Sequence, residues 1–194
     1  MYVYGIVAFE DGTIFEGTGF GAAGEANGEV VFNTSMTGYQ EVLTDPSYAS
    51  QIVTMTYPLV GNYGVNEKDV ESERVQVSGF VVKEACRYPS NFTSRSSLGE
   101  YLRENDIVGI EGIDTRALTR HIRLAGAMKA VIYTGEERRP DDLVDKAKAW
   151  KGLVGVDTVK NVTCKKPYEW QQDGTAQRPD EALHVVAFDF GIKS

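Results

Sequence analysis

The stretch VVFNTSMTGYQEVLTDPSYASQIVTMTYPLVGNYG, residues Val30 to Gly64, decides how this chain folds. Its two apolar runs, Val30–Phe32 and Ile52–Tyr57, are rich in β-branched residues and read as buried strands. The polar connection between them carries Asn33, Thr34, Ser35, Thr37, Gly38, Tyr39, Gln40, Asp45 and Ser47. It is longer than a hairpin needs, and functional groups concentrate on such connections. A short helical turn is expected near Tyr39–Leu43, ending before Asp45-Pro46 because a residue that precedes proline avoids the helical region.

Outward from this stretch, Tyr2–Phe9 and Thr13–Gly19 flank Glu10-Asp11-Gly12, whose Asp-Gly pair marks a β-hairpin. Strands are expected at Glu29–Asn33, Val75–Val82, Ile107–Ile110 and Met128–Thr134. The charged run Glu67–Arg74 reads as a solvated loop. Ser97-Leu98-Gly99-Glu100 fits a capping box, and Asp114 caps a stronger helix that places Ala117, Leu118, His121, Ile122 and Ala125 on one face, with Gly126 at its end. Pro140 opens a further helix with Leu143, Val144, Ala147 and Trp150 facing inward. A mainly β first half and an alternating second half imply an α/β fold, layered as two sheets and helices. Gln171–Ala182 is polar and aperiodic, a linker; His184–Phe190 then reads as one more strand.

The chain has 194 residues and a net charge of −8, which suits one large domain and argues against a nucleic-acid binder. Its first residues lack a basic region, and no apolar run approaches a membrane span, so a cytoplasmic protein is expected. Cys86 and Cys164 fit neither a disulfide framework nor a metal site. His121 reads as a packed histidine. Gly19-Phe20-Gly21-Ala22-Ala23-Gly24 matches the dinucleotide pattern, yet turn and strand follow it where the mechanism requires a helix N-terminus. No nucleotide site is assigned there. Arg116, Arg120 and Arg123 recur at helical spacing, either as a solvated face or as a docking strip for an acidic partner. Ser47 is first a turn hydroxyl; it could instead hold the polar end of an amino acid lying against a neighbouring domain.

Several ordered blocks resemble one family. They are Glu10-Asp11-Gly12, Gly28–Glu41, Leu43–Tyr48, Tyr57-Pro58, Gly61–Gly64, Ser90-Asn91-Phe92, Ile113–Arg120 and His184–Gly191. Together they resemble the small, glutamine-handling subunit of carbamoyl-phosphate synthetase in its N-terminal domain. The resemblance implies a three-layer β/β/α "swivelling" domain over residues 1–152, a linker region at 153–183, and the first strand of a class I glutaminase domain at 184–194. In that family the small subunit hydrolyses glutamine with a cysteine–histidine–acid triad. The ammonia passes internally to a large subunit, which makes carbamoyl phosphate from bicarbonate, ammonia and ATP for pyrimidine and arginine synthesis. By the same resemblance Ser47 contacts glutamine, while Ser35, Met36 and Thr37 border the ammonia path. Arg116 and Arg120 are candidates for the partner interface. The triad would lie beyond Ser194, so these residues alone are expected to be inactive. No cofactor or metal is expected in this chain, and ATP and Mg belong to the large subunit. The rival reading is a stand-alone binding or regulatory module of the same fold.

Overall fold

In a computed structural model, which describes residues 3–169 and 185–193, the chain builds a closed seven-stranded barrel with helices against its ends and flanks. The elements in chain order are β1 Tyr4–Phe9, β2 Ile14–Gly19, β3 Gly24–Asn33, α1 Tyr39–Thr44, a 3-10 turn Pro46–Tyr48, and β4 Gln51–Met55. β5 Leu59–Val60, β6 Gly79–Val81, β7 Glu84–Ala85, α2 Leu98–Glu104, β8 Val108–Glu111, α3 Thr115–Ala125, β9 Met128–Gly135, α4 Pro140–Ala149 and α5 Val159–Val162 follow. The barrel runs β1-β2-β8-β6-β4-β3-β9 and returns to β1, while β5 and β7 pair separately. Pairing is parallel through β3, β4, β6 and β8 and antiparallel elsewhere in the barrel.

Alternation along each strand divides the core. One parity, including Val7, Phe9, Val30, Ile52, Val81, Ile110 and Ile132, fills the barrel, with Leu118 and Ile122 of α3 joining it. The opposite parity on β4 and β6 packs Val53, Met55 and Phe80 under α1 and α2. On β1 and β9, Ile6, Ala8, Val131 and Tyr133 are covered by Leu143, Val144 and Ala147 of α4. Covering both faces explains why Ile6 to Phe9 reads as one continuous apolar run. The interior is narrow. A Cβ on Gly79 of β6 would stand 2.7 Å from Cγ2 of Ile132, on a strand that does not pair with β6.

The hairpin at Asp11-Gly12 forms, with Gly12 at φ +92°. The capping box is present: the Glu100 amide donates to Ser97 Oγ, and the Ser97 amide donates to the Glu100 carboxylate. Asp114 caps α3 by accepting from the Ala117 amide, and Pro140 opens α4.

Several expectations change. The two sheets expected are a barrel, closed by pairing of its first and last strands β1 and β9, and a separate two-stranded sheet of β5 and β7. β3 starts at Gly24, five residues early, since the antiparallel ladder to β9 carries Gly24–Gly28 despite their weak strand propensity. The strand expected at Val75–Val82 is only Gly79–Val81; the Gln76 amide is taken by Leu43 O and the Ser78 amide by Gln51 O. Ala117 and Ala125 are exposed, leaving Thr115, Leu118 and Ile122 as the buried stripe of α3. Of the strand expected at His184–Phe190, His184 lies outside the described residues. Residues 185–190 have no ladder partner among the described residues, and Val185, Val186 and Phe188 are exposed. The linker expected at Gln171–Ala182 also lies outside them. No helix among the described residues is long and apolar enough to cross a membrane.

Candidate functional site

The connection between β3 and β4 is a built structure held by side chains. Its first part, Ser35-Met36-Thr37, is exposed, Met36 to 72%. Asn33 at the end of β3 anchors both halves: its Oδ1 accepts from the Ser35 amide at 2.8 Å, and its Nδ2 donates to the Tyr48 hydroxyl at 3.0 Å. Gly38 then turns the chain into α1 with φ +82°, a conformation that favours glycine, and its amide donates to the Tyr63 hydroxyl at 2.6 Å. Tyr39 stacks on Tyr63 with ring centroids 4.3 Å apart and donates its hydroxyl to Gly64 O. Burial, reinforced by the neighbouring Tyr63, pushes the Tyr39 hydroxyl far above the usual range, so it acts as a neutral donor.

Gln40 makes the most specific contact. Its side chain is buried; Nε2 donates to Asn66 O at 2.6 Å and Oε1 accepts from the Asn66 amide at 2.9 Å. One side-chain amide thus imitates a paired strand residue and fixes the 66–74 loop to α1. Thr44 continues the seam: its Oγ1 accepts from the Glu71 amide, and its carbonyl accepts from the Ser72 hydroxyl. Glu41 lies beside this seam with Oε2 buried and unpartnered among the described residues. Burial, then the charges of Asp69 and Glu71, raise its carboxyl above the usual range.

After α1, Asp45 caps the 3-10 turn by accepting from the Ser47 amide at 2.8 Å, and Pro46 sets the first turn position. Ser47 is exposed at the turn's surface. The other Asp45 oxygen faces a residue far away in sequence: Lys193 Nζ lies 2.6 Å from Asp45 Oδ2. The delivering segment is itself braced. Asp189 accepts from the amides of Gly191 and Ile192 and from the Tyr168 hydroxyl, all at 2.8 Å. Gly191, at φ +109°, sits close to Pro46 and Val162. Burial works to raise the Asp45 carboxyl, but the Lys193 ammonium and the Ser47 amide outweigh it and hold the group below the usual carboxylate range.

The structure therefore brings Ser47 and the Ser35–Thr37 segment into one connection, tied through Asn33. It does not bring Arg116 and Arg120 there. They lie exposed on α3, beyond the end of β8, which runs parallel to β6 and β4. His121 is partly buried rather than fully packed: its ring meets Phe9 edge to face at 5.4 Å, and Nε2 lies 3.0 Å from the Asp11 carboxylate. Cys86 donates to Tyr88 O, and Cys164 is exposed. Among the described residues no group of acidic, histidine or cysteine side chains is arranged to hold a metal. The Gly19–Gly24 run borders a cavity of about 450 Å³ shared with Cys86, Arg87 and Arg103. Its amides are committed to the sheet: Phe20 and Gly21 donate to Gly109 O, and Ala22 donates to Ile107 O. They cannot also face a pyrophosphate. Sequence reasoning missed the Gln40–Asn66 clasp and the Lys193–Asp45 pair, although a glutamine among the apolar Tyr39, Val42 and Leu43 of a short helix is itself a signal of a buried amide partner.

Residues 7–132 match the family model described as "Carbamoyl-phosphate synthase small chain, CPSase domain". The chain belongs to this family. It is 57% identical to the carbamoyl phosphate synthase small chain of Syntrophotalea carbinolica over 97% of this chain and 52% of that protein. It is also 57% identical to the one from Maridesulfovibrio salexigens, over 86% of this chain and 44% of that protein. The Aquifex aeolicus small chain is 53% identical over 97% of this chain and 52% of that protein. The chain thus spans about half the length of these relatives.

Proposed function

We propose that this chain is the N-terminal domain of the small subunit of a glutamine-dependent carbamoyl-phosphate synthase. It lends Ser47 to a glutamine held by a following glutaminase domain and supports passage of the released ammonia to a large subunit. In this reading the barrel and its helices correspond to the family's swivelling domain. Residues 185–193 begin the glutaminase domain, whose sheet would supply the ladder partners that 185–190 lack among the described residues. Hydrolysis of the glutamine amide would yield glutamate and ammonia. The ammonia must stay unprotonated to attack carboxyphosphate, because ammonium has no free electron pair, so the transfer has to be screened from water. Serine suits the role assigned to it, since a hydroxyl can both donate to the carboxylate and accept from the ammonium of an amino acid.

The observation that carries the reading is the braced turn. Asp45 fixes the Ser47 amide with one oxygen and receives Lys193 of the following segment with the other, so the turn that carries Ser47 meets that segment. The test is Ser47→Ala in the chain expressed together with the coding sequence that follows residue 194. Loss of one substrate hydrogen bond is worth roughly 0.5–1.5 kcal/mol, or about 2- to 10-fold in KM for glutamine. An unchanged KM with unchanged glutaminase turnover would remove Ser47 from the site.

A further inference from the structure

We infer that Asn33 is a positioning residue for the turn that carries Ser47. Through the Tyr48 hydroxyl it fixes that turn to the barrel, and through the Ser35 amide it fixes the Ser35–Thr37 segment to the same point. The inference rests on the reading above, in which Ser47 contacts glutamine and Ser35–Thr37 border the path of the ammonia.

The two ends of the Asn33 side chain go to two different segments. Oδ1 accepts from the Ser35 amide at 2.8 Å, an Asx turn of the kind that starts many loops. Nδ2 donates instead to the Tyr48 hydroxyl at 3.0 Å, fifteen residues away. Parallel pairing sets Asn33 beside Met55, at the end of β4 remote from the turn that precedes Gln51. The Tyr48 side chain closes that distance, partly buried against the cluster that holds Val53, Met55 and Phe80. Asn33 is itself held, because its carbonyl accepts from the Thr56 amide at 3.0 Å and so continues the β3–β4 ladder. The strut therefore starts from a strand of the closed barrel, and groups built on such elements are placed more precisely than groups on loops.

Ser47 adjoins Tyr48 in a turn of three residues, and the Tyr48 amide donates to Asp45 O. Asp45 ties this turn to the later segment through Lys193. Asn33 ties it to the barrel. A hydroxyl that serves a substrate held between two bodies needs both references, since displacement by about 1 Å loses a productive contact. Releasing Asn33 would free the turn and the start of the Ser35–Thr37 segment together. Removing the Tyr48 hydroxyl would free the turn alone, and this difference separates the two tasks of the one side chain.

The test uses the chain expressed with the sequence that follows residue 194 and assembled with its large subunit, assayed for glutamate release and for carbamoyl phosphate made from glutamine. Tyr48→Phe removes only the hydroxyl, and Asn33→Leu removes both bonds with little change of volume. Asn33→Asp keeps the acceptor for the Ser35 amide and offers its other oxygen to the Tyr48 O–H. The expected result is a KM for glutamine raised roughly 2- to 10-fold in Tyr48→Phe and Asn33→Leu, with glutaminase kcat within about twofold of wild type. Asn33→Asp should return KM towards the wild-type value, and only Asn33→Leu should make less carbamoyl phosphate per glutamate released. Ser97→Ala, which strips the N-cap of α2, is the stability control: it should lower Tm and leave KM unchanged. A wild-type KM in Tyr48→Phe and Asn33→Leu, with a raised KM in Ser47→Ala, overturns the strut and leaves the Ser47 reading standing. A KM that follows Tm, rising in Ser97→Ala as well, also overturns the strut. An unchanged yield per glutamate in Asn33→Leu removes Ser35–Thr37 from what Asn33 positions. A KM unmoved in Ser47→Ala overturns the reading, and the strut with it.

Discussion

Replacing Gln40 by alanine tests whether the connection between β3 and β4 is held from within. The Gln40 side chain is 1% exposed and satisfies both backbone groups of Asn66, at 2.6 and 2.9 Å. Truncation leaves an amide and a carbonyl unpaired, each costing about 1–3 kcal/mol if water cannot reach it. Asn66 is only partly buried, so water repairs some of the loss, and the expected destabilisation is about 2–4 kcal/mol. For a chain of this size that is a fall in Tm of roughly 4–16 °C. Urea unfolding should show a lower midpoint with an unchanged slope, and hydrogen exchange should quicken first at the Asn66 amide. Gln40→Glu sharpens the test. It keeps the acceptor for the Asn66 amide but sets an oxygen against Asn66 O, beside Glu41 and near Asp69. A glutamate buried there has its folded pKa raised, so its cost relative to wild type should grow as pH rises above the unfolded value of about 4.3. A loss under about 0.5 kcal/mol in the alanine variant, or a glutamate penalty that shrinks between pH 5 and pH 8, would refute the clasp as the organiser of this loop.

Glu41→Gln should raise the urea midpoint at pH 7, because the native carboxyl titrates above its ordinary value of 4.5 and its ionised form disfavours the fold; the gain should fade as pH falls towards that value, where wild type is also neutral. Asp45→Asn should cost about 1 kcal/mol at pH 7. Its native carboxyl titrates below the ordinary 3.8, so this stability is present above that value and is lost as pH falls through the depressed one. Chemical denaturation of both proteins from pH 7 down to strongly acid conditions should therefore show the two curves converging. Gly79→Val should destabilise by about 1–3 kcal/mol, measured by urea unfolding, since its Cβ would meet Ile132 at 2.7 Å across the barrel.

Much of this arrangement was legible in the residues, and what was not has a physical reason. Ile52–Met55 and Ala130–Tyr133 announce themselves because apolar runs rich in β-branched residues and buried on both faces leave no charged interruption. The caps at Ser97, Asp114 and Pro140 are local chemistry and are readable three residues at a time. Barrel closure was not readable, because β2 meets β8 through only Thr18–Glu111 and Gly19–Ile110, a contact between segments about ninety residues apart. Gly24–Gly28 hid a strand for a related reason: small residues give no apolar alternation, and there the ladder with β9 decides. The Asp45-Pro46-Ser47 turn was evident from its residue types, but no spacing rule could bring Lys193 to it.

Asp45 shows why that long-range contact bears on the chemistry proposed for this domain. Its two oxygens have separate tasks: Oδ1 shapes the turn through the Ser47 amide, and Oδ2 receives the ammonium of Lys193. A carboxylate can do both only while ionised. Its protonated form can donate, but it loses the charge that holds the lysine. The conformation of the Ser47 turn and the seating of the later segment are thus coupled through one side chain, and perturbing either partner should disturb the other. A hydroxyl that must meet a substrate held by another domain needs its position fixed relative to that domain, because misplacement by about 1 Å is enough to lose a productive contact. An isolated serine on a free loop would not meet that requirement. A serine whose backbone is bonded to the carboxylate that grips the next segment does, and this is the physical argument for assigning the role to Ser47 rather than to the equally exposed Ser35 or Thr37.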